Sequence, residues 1–431
     1  MEWKKELQIF AWILGFFLFA YFMPIGTQRF DNALLEAFEL AKWYAQEHVL
    51  LCLVPAFFIA GVIAVFVSQG AVIKYFGAKA KKWKAYLIAS LSGTILAVCS
   101  CTILPLFSSI HKRGAGLGPA ITFLYSGPAI NILAIILTAR ILGFKLGVAR
   151  IVGAVVFSVI IGIIMSFIYR KEEKKRAERM DFPDIKDERP LWQTSFHFFV
   201  LVLILVFANW GKPDTNEGFM FWLYSNKWHI TAFFGIVFIY SLIKILKMKP
   251  LYVVFAAIPV IVTAFVFPAL PLVPFVLAVI GLTILTIITP GESKEWLNET
   301  WGFTKQIMPL LAAGVLVAGL LLGTAEGEGV IPNEWVSSLV GGNSVFSNFF
   351  ASVFGAFMYF ATLTEIPIIQ GLLNNGMGQG PALALLLAGP ALSLPNMLVI
   401  RSVIGTQKTV VYVFLVSVMA TISGLIYGSM F

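Results

Sequence analysis

The chain has 431 residues, of which 59% are hydrophobic and only 12% charged, and its mean hydropathy is +0.88. A water-soluble domain carries roughly 25% charged residues, so about half of that polar cover is missing and a soluble fold is excluded. The net charge of +9 is no nucleic-acid footprint, because the basic residues stand in short clusters beside apolar runs, as the positive-inside bias places them.

In chain order, apolar stretches near the roughly 20 residues needed to cross a bilayer fall at about 8–25, 48–68, 86–108, 117–142, 147–169, 192–209, 229–246, 250–267, 271–289, 304–323, 346–370, 380–400 and 409–428. They do not alternate as the strands of a barrel would. The fold class expected is therefore an all-α polytopic membrane protein with about 11–13 transmembrane segments, several interrupted by proline or glycine. The first run, Ile9 to Ile25, lacks a small-x-small cleavage site and reads as a signal anchor within an N-terminal segment 1–47.

Lys and Arg gather at Lys4–Lys5, Lys79–Lys84, Arg170–Arg179 and Lys244–Lys249. The loops 27–47, 210–227 and 324–336 are acidic or weakly charged. The first set is assigned to the cytoplasm and the second outside, giving a multi-pass protein of the cell membrane with a cytoplasmic N-terminus. Residues 170–189 carry eight basic and seven acidic residues and read as a solvated cytoplasmic linker. This linker, 170–190, separates a first repeat (48–169) from intervening spans (191–300) and a second repeat (301–431).

The repeat emerges at a shift of 262 residues. Residues 99–129, CSCTILPLFSSIHKRGAGLGPAITFLYSGPA, align without a gap on 361–391, ATLTEIPIIQGLLNNGMGQGPALALLLAGPA. Thr102 meets Thr364 and Pro105 meets Pro367. Gly114, Gly116, Gly118 and Pro119 meet Gly376, Gly378, Gly380 and Pro381. Gly127 and Pro128 meet Gly389 and Pro390. Flanking charge sends the equivalent spans 48–68 and 304–323 in opposite directions, which predicts inverted-topology repeats. Keeping 170–179 inside then requires one glycine- and proline-broken segment to be re-entrant.

Chemistry concentrates at the breakers. Pro105 predicts a helix break just before it. If Cys99–Thr102 is extended there, Cys99 and Cys101 face one side about 6.5–7 Å apart, with Ser100 and Thr102 adding hydroxyls. Such a thiol pair suits a soft, thiophilic solute; the alternative is ordinary packing by small residues, the reading also given to Cys52. The Gly-x-Gly-x-Gly-Pro-Ala stretches lack the strand and Lys-Ser/Thr of a phosphate loop, so no nucleotide cofactor is expected. They supply a turn and a proline at a helix start. Gly127-Pro128 and Gly389-Pro390 each predict a broken span, which leaves backbone donors and acceptors for a midplane site.

Glu365 is the one charged residue between Glu334 and Arg401. A carboxylate there must be protonated, paired or wet, which makes it a candidate proton carrier or substrate contact. Asn131 and Asn396 follow the second breakers and offer amides. Arg140 and Arg401, near span ends, are expected to snorkel. His48, His111, His197 and His229 sit at span edges without metal-ligand spacing, and no metal site is expected.

The CSC-x-x-x-Pro element, the KRGAGLGPA turn, the SGPA break and their second-half counterparts resemble the ArsP-like predicted permeases, a family that includes YraQ-type proteins. The resemblance covers roughly 50–145 and 300–428, leaving about 190–300 unmatched. It implies an efflux permease for trivalent organoarsenicals or a protein of thiol homeostasis. Cys99, Cys101 and Pro105 would form its first signature, and Thr364, Pro367, Gly389 and Pro390 its second. This chain departs from the pattern at Ala361, where many members carry a cysteine.

The expectation is a non-enzymatic secondary-active permease in the lipid bilayer. It would export a small soft or thiol-reactive solute by alternating access, with Glu365 coupling transport to protons. A membrane thiol oxidoreductase using Cys99 and Cys101 is the alternative, although CSC is not the CxxC spacing of redox helices. A passive channel would not require paired broken helices.

Overall fold

The computed structural model describes residues 3–66, 76, 81–96, 100–130, 134–135, 138–179, 190–212, 217–323, 327, 329–331, 338–357, 365–374 and 376–430. Within them the fold is all helical, and the one β pairing is the isolated bridge between Gly341 and Met377.

The 262-residue shift is visible in the backbone. Lys82–Leu96, Ser100–Lys112, Leu117–Ala129 and Phe144–Ile168 have counterparts in Val345–Phe357, Glu365–Asn374, Gln379–Leu392 and Thr406–Met430. The last helices of the two sets are both 25 residues long and are offset by 262 at both ends. Gly114 and Gly376 adopt φ of 99° and 95°, the left-handed conformation that only glycine takes freely. Each closes its helix with the same pair of bonds. Gly114 N donates to His111 O (3.2 Å) and Ala115 N to Ile110 O (3.0 Å); Gly376 N donates to Leu373 O (3.1 Å) and Met377 N to Leu372 O (2.9 Å). This is the Schellman termination. Pro119 and Pro381 then stand in the first turn of the next helix, where a missing N–H costs nothing.

Close glycine contacts set the packing of each half. A Cβ on Gly162 would meet Gly118 O at 2.7 Å, and one on Gly424 would meet Gly380 O at 2.6 Å. Small residues thus bring the paired helices to backbone contact, and the same crossing recurs at the 262-residue offset. Tyr86 and Asn348, also equivalent, reach into the two crossings. Every residue of Leu117–Ala129 and every residue of Gln379–Leu392 after Gln379 is buried, and the two helices pack against each other.

Among the described residues, four helical stretches are long and apolar enough to cross a membrane: Val49–Phe66, Phe144–Ile168, Glu292–Leu321 and Thr406–Met430. Gln379–Leu392 with Leu394–Ile404, bent by 48°, makes a fifth if it is counted as one span. Trp192–Ala208, Pro250–Val266, Leu272–Ile288 and Val345–Gly355 are shorter apolar helices. Of the expected segments, 192–209, 229–246, 250–267 and 271–289 are each one helix of 17 or 18 residues, whereas the glycine- and proline-rich ones at 117–142 and 380–400 are divided. The intervening region forms two antiparallel-type pairs, Leu191–Ala208 with Lys227–Lys244 and Pro250–Val266 with Leu272–Ile288. Ile236 and Phe265, 67% and 81% exposed, suit lipid rather than water. Glu292–Leu322, 31 residues with Pro309 inside, packs against Val54–Phe66 on one side and Leu394–Ile404 on the other.

Candidate functional site

The break expected just before Pro105 is absent: Ser100–Lys112 is one helix with Pro105 inside. An interior proline removes a single intrahelical bond, and here the helix survives it. Ser100, Cys101 and Thr102 are therefore helical, not extended, while Cys99, Asn131 and Thr364 lie outside the described residues. The second breakers act one and two residues late. Leu117–Ala129 stops just after Pro128, and Gln379–Leu392 stops just after Pro390, since proline leaves the carbonyl four residues before it without a donor and clashes with that turn. At the second break Asn396 Nδ2 donates to Pro390 O at 3.1 Å, tying the two sides of the 48° bend together.

Glu365 lies in the first described turn of Glu365–Asn374, with Pro367 in the same turn. Its carboxylate is fully buried, 1% exposed. It is paired. Arg150, 0% exposed on the Phe144–Ile168 helix, brings Nη2 to 2.5 Å from Glu365 Oε1, a close ionic contact rather than an aligned hydrogen bond. The rest of the guanidinium is held by its own half of the chain: Nε donates to Ala129 O (3.0 Å) and Nη1 to Thr138 Oγ1 (2.9 Å). Ala129 O is free to accept because its helix ends there, and Thr138 begins a short π-helical turn, Thr138–Leu142. Two charges removed from water are tolerable only with such geometry and further hydrogen bonds. The ion pair joins the two repeats.

Tyr125 and Tyr412 complete the neighbourhood. Tyr125 lies within electrostatic reach of Arg150, and Tyr412 within reach of Tyr125. Both are 0% exposed, and neither hydroxyl has a hydrogen-bond partner among the described residues. Tyr412 occupies the position equivalent to Arg150 at the 262-residue offset.

The described part of the charged linker, 170–179, is largely exposed, as expected, but two of its side chains, Glu173 and Arg176, dock on the first half. Arg170–Arg179 is a helix, and its Glu173 Oε2 accepts from Leu117 N at 2.9 Å, capping a broken helix at its N-terminus. Arg176 donates to His111 O and lies 3.1 Å from His111 Nδ1. Burial first, then the Arg176 and Lys408 charges, push His111 down to about 3, so the ring is a neutral acceptor.

His197 is no edge residue. It is 1% exposed, shares a hydrogen bond with Ser241 and is ringed by Phe66, Phe238 and Trp296. Arg401 is exposed and donates to Thr406 Oγ1 at 3.0 Å. Cys52 is 5% exposed in a π-helical stretch, Ala45–Leu53. Sequence reasoning missed Arg150, Thr138, Tyr125 and Tyr412. Arg150 stands five residues after Lys145 near a span end and looks like another interfacial cation. Its signal was the repeat register, which sets a charge opposite the buried Tyr412.

Comparison with known proteins places the chain. The model of the predicted permease family ArsP_1 matches residues 34–429. The UPF0718 protein MJ0584 of Methanocaldococcus jannaschii is 42% identical over 385 residues, 89% of this chain and 93% of that protein. The UPF0718 protein YraQ of Escherichia coli is 28% identical over 144 residues, 32% of this chain and 37% of that protein. No solved structure matches the chain. With the helical membrane architecture and the paired broken helices already described, this match over nearly the whole length makes the chain a member of the ArsP_1 predicted permease family.

Proposed function

We propose that this membrane transporter is a secondary-active permease that exports a small soft or thiol-reactive solute by alternating access between two inverted repeats. The observation that carries the reading is the buried Arg150–Glu365 pair, which links the halves beside two broken helices. Transporters of inverted-repeat design place their sites at that kind of junction, and an intramembrane ion pair that joins two bodies is an element a substrate or proton can bias. Matching turns, glycine crossings and helix lengths at a 262-residue offset support two bodies built alike. Cys99 and Cys101 supply the soft ligands, and Glu365 carries the proton.

Uptake of labelled methylarsenite into inside-out vesicles tests this reading. Cys99→Ser and Cys101→Ser should each abolish uptake, and Glu365→Gln should remove its response to a pH gradient. Undiminished uptake in both serine variants rules out thiol capture.

A further inference from the structure

We propose that Arg150 and Glu365 form an exchange site at which a monoanionic group of the solute replaces the Glu365 carboxylate on Arg150 as Glu365 takes up one proton. The inference rests on the permease reading and deepens it, adding the charge of the solute and the stoichiometry of coupling.

The argument is one of charge conservation in a low-dielectric interior. Arg150 is fixed by its own half through Ala129 O and Thr138 Oγ1, so its guanidinium stays buried whatever Glu365 does. Glu365 comes from the other half and supplies the compensating charge. Protonating Glu365 alone would strand a buried cation, which is strongly unfavourable. Binding an anion alone would leave two negative groups against one positive. Proton and monoanion together restore neutrality, so each promotes binding of the other. The proton resides on the Glu365 carboxyl, the anion on Arg150 Nη2, and no net charge enters the site.

The surroundings fit that occupant. Gln379–Leu392, packed against the Glu365 helix, carries no charged residue; Thr138–Leu142 carries Arg140, and Phe144–Ile168 carries Lys145 and Arg150. Among the described side chains, Arg150 is the one that pairs with Glu365. The Tyr125 hydroxyl, on the Arg150 side, and the Tyr412 hydroxyl beside Tyr125 are fully buried and without partners among the described residues, and such donors are what an incoming anion requires. Such groups are seldom left unpaired without a functional reason.

Isothermal titration of mercaptoacetate into the purified full-length protein in detergent, in two buffers of different ionisation enthalpy, counts the protons taken up per anion bound. The expected count is about one, with affinity falling about tenfold per pH unit once Glu365 is ionised before binding. Mercaptoethanol, which keeps the thiol and lacks the carboxylate, should not bind comparably. The double variant Arg150→Met/Glu365→Gln should lose the proton uptake. Tyr125→Phe and Tyr412→Phe should each weaken binding about tenfold at an unchanged proton count, a readout that survives if the double variant does not fold. A proton count of zero, equal binding of mercaptoethanol, or unaltered affinity in both phenylalanine variants overturns the proposal. Wild-type vesicles that accumulate methylarsenite without proton-linked mercaptoacetate binding refute this inference and leave the permease reading in place. Vesicles that accumulate no methylarsenite refute that reading itself.

Discussion

Lys408 Nζ stands 2.9 Å from Glu172 Oε2 and 5.3 Å from the centre of the Tyr169 ring, so the last helix of the second half grips the linker that follows the first. Glu172 is exposed, and an exposed pair contributes at most about 1 kcal/mol. The stronger tie is Glu173, which caps Leu117 N. Glu173→Ala should cost about 1 kcal/mol. Hydrogen exchange should then run about fivefold faster at Leu117 and along 170–179, whereas Lys408→Ala should leave Leu117 protected.

His111 introduces a pH dependence whose sign is fixed. Its folded-state value is about 3 against an ordinary 6.5, so between those limits the unfolded chain binds a proton that the folded chain refuses. Stability is therefore lost as pH falls from 6.5 toward 3. Thermal unfolding in detergent across this window should show a steeper decline for wild type than for His111→Gln.

The glycine crossings should reject a methyl group in both halves. Gly162→Ala and Gly424→Ala each drive a Cβ against a backbone oxygen, at 2.7 Å and 2.6 Å, which should destabilise by about 1–3 kcal/mol. Gly235, on the Lys227–Lys244 helix with nothing within 4 Å of a Cβ, is the control. Gly235→Ala should be neutral or stabilise by about 0.5–1 kcal/mol.

Removing one member of the central pair should be worse than removing both. Arg150→Met or Glu365→Gln alone leaves a buried group uncompensated and should cost about 3–5 kcal/mol, while the double variant should be close to wild type. Unfolding midpoints of the three proteins in one detergent give the comparison directly.

The elements legible in the sequence were those whose backbone geometry only one or two residue types can satisfy. Gly114, Gly376, Pro119 and Pro381 mark turns and helix starts because glycine tolerates positive φ and proline lacks an N–H, and both constraints are local. Glu365 was readable because charge is scarce around it. Its partner was not, since a pairing between residues 150 and 365 depends on how the halves pack. The docking of 170–179 was hidden for a similar reason. A charged helix looks solvated until the broken-helix ends that accept its carboxylate and guanidinium are in place. Pro105 misled because a proline that a helix tolerates carries the same letter as one that breaks it.

The helix Glu292–Leu322 spans about 46 Å at 1.5 Å per residue, against a hydrocarbon core of about 30 Å. Its first turns, with Glu292, Lys294 and Glu295, therefore reach beyond the lipid while its remainder lies between elements of both halves. In the alternating-access permease proposed above, rocking of one half against the other would have to slide along this strut or flex it. Pro309, where one backbone bond is missing, is the place where flexing is cheapest.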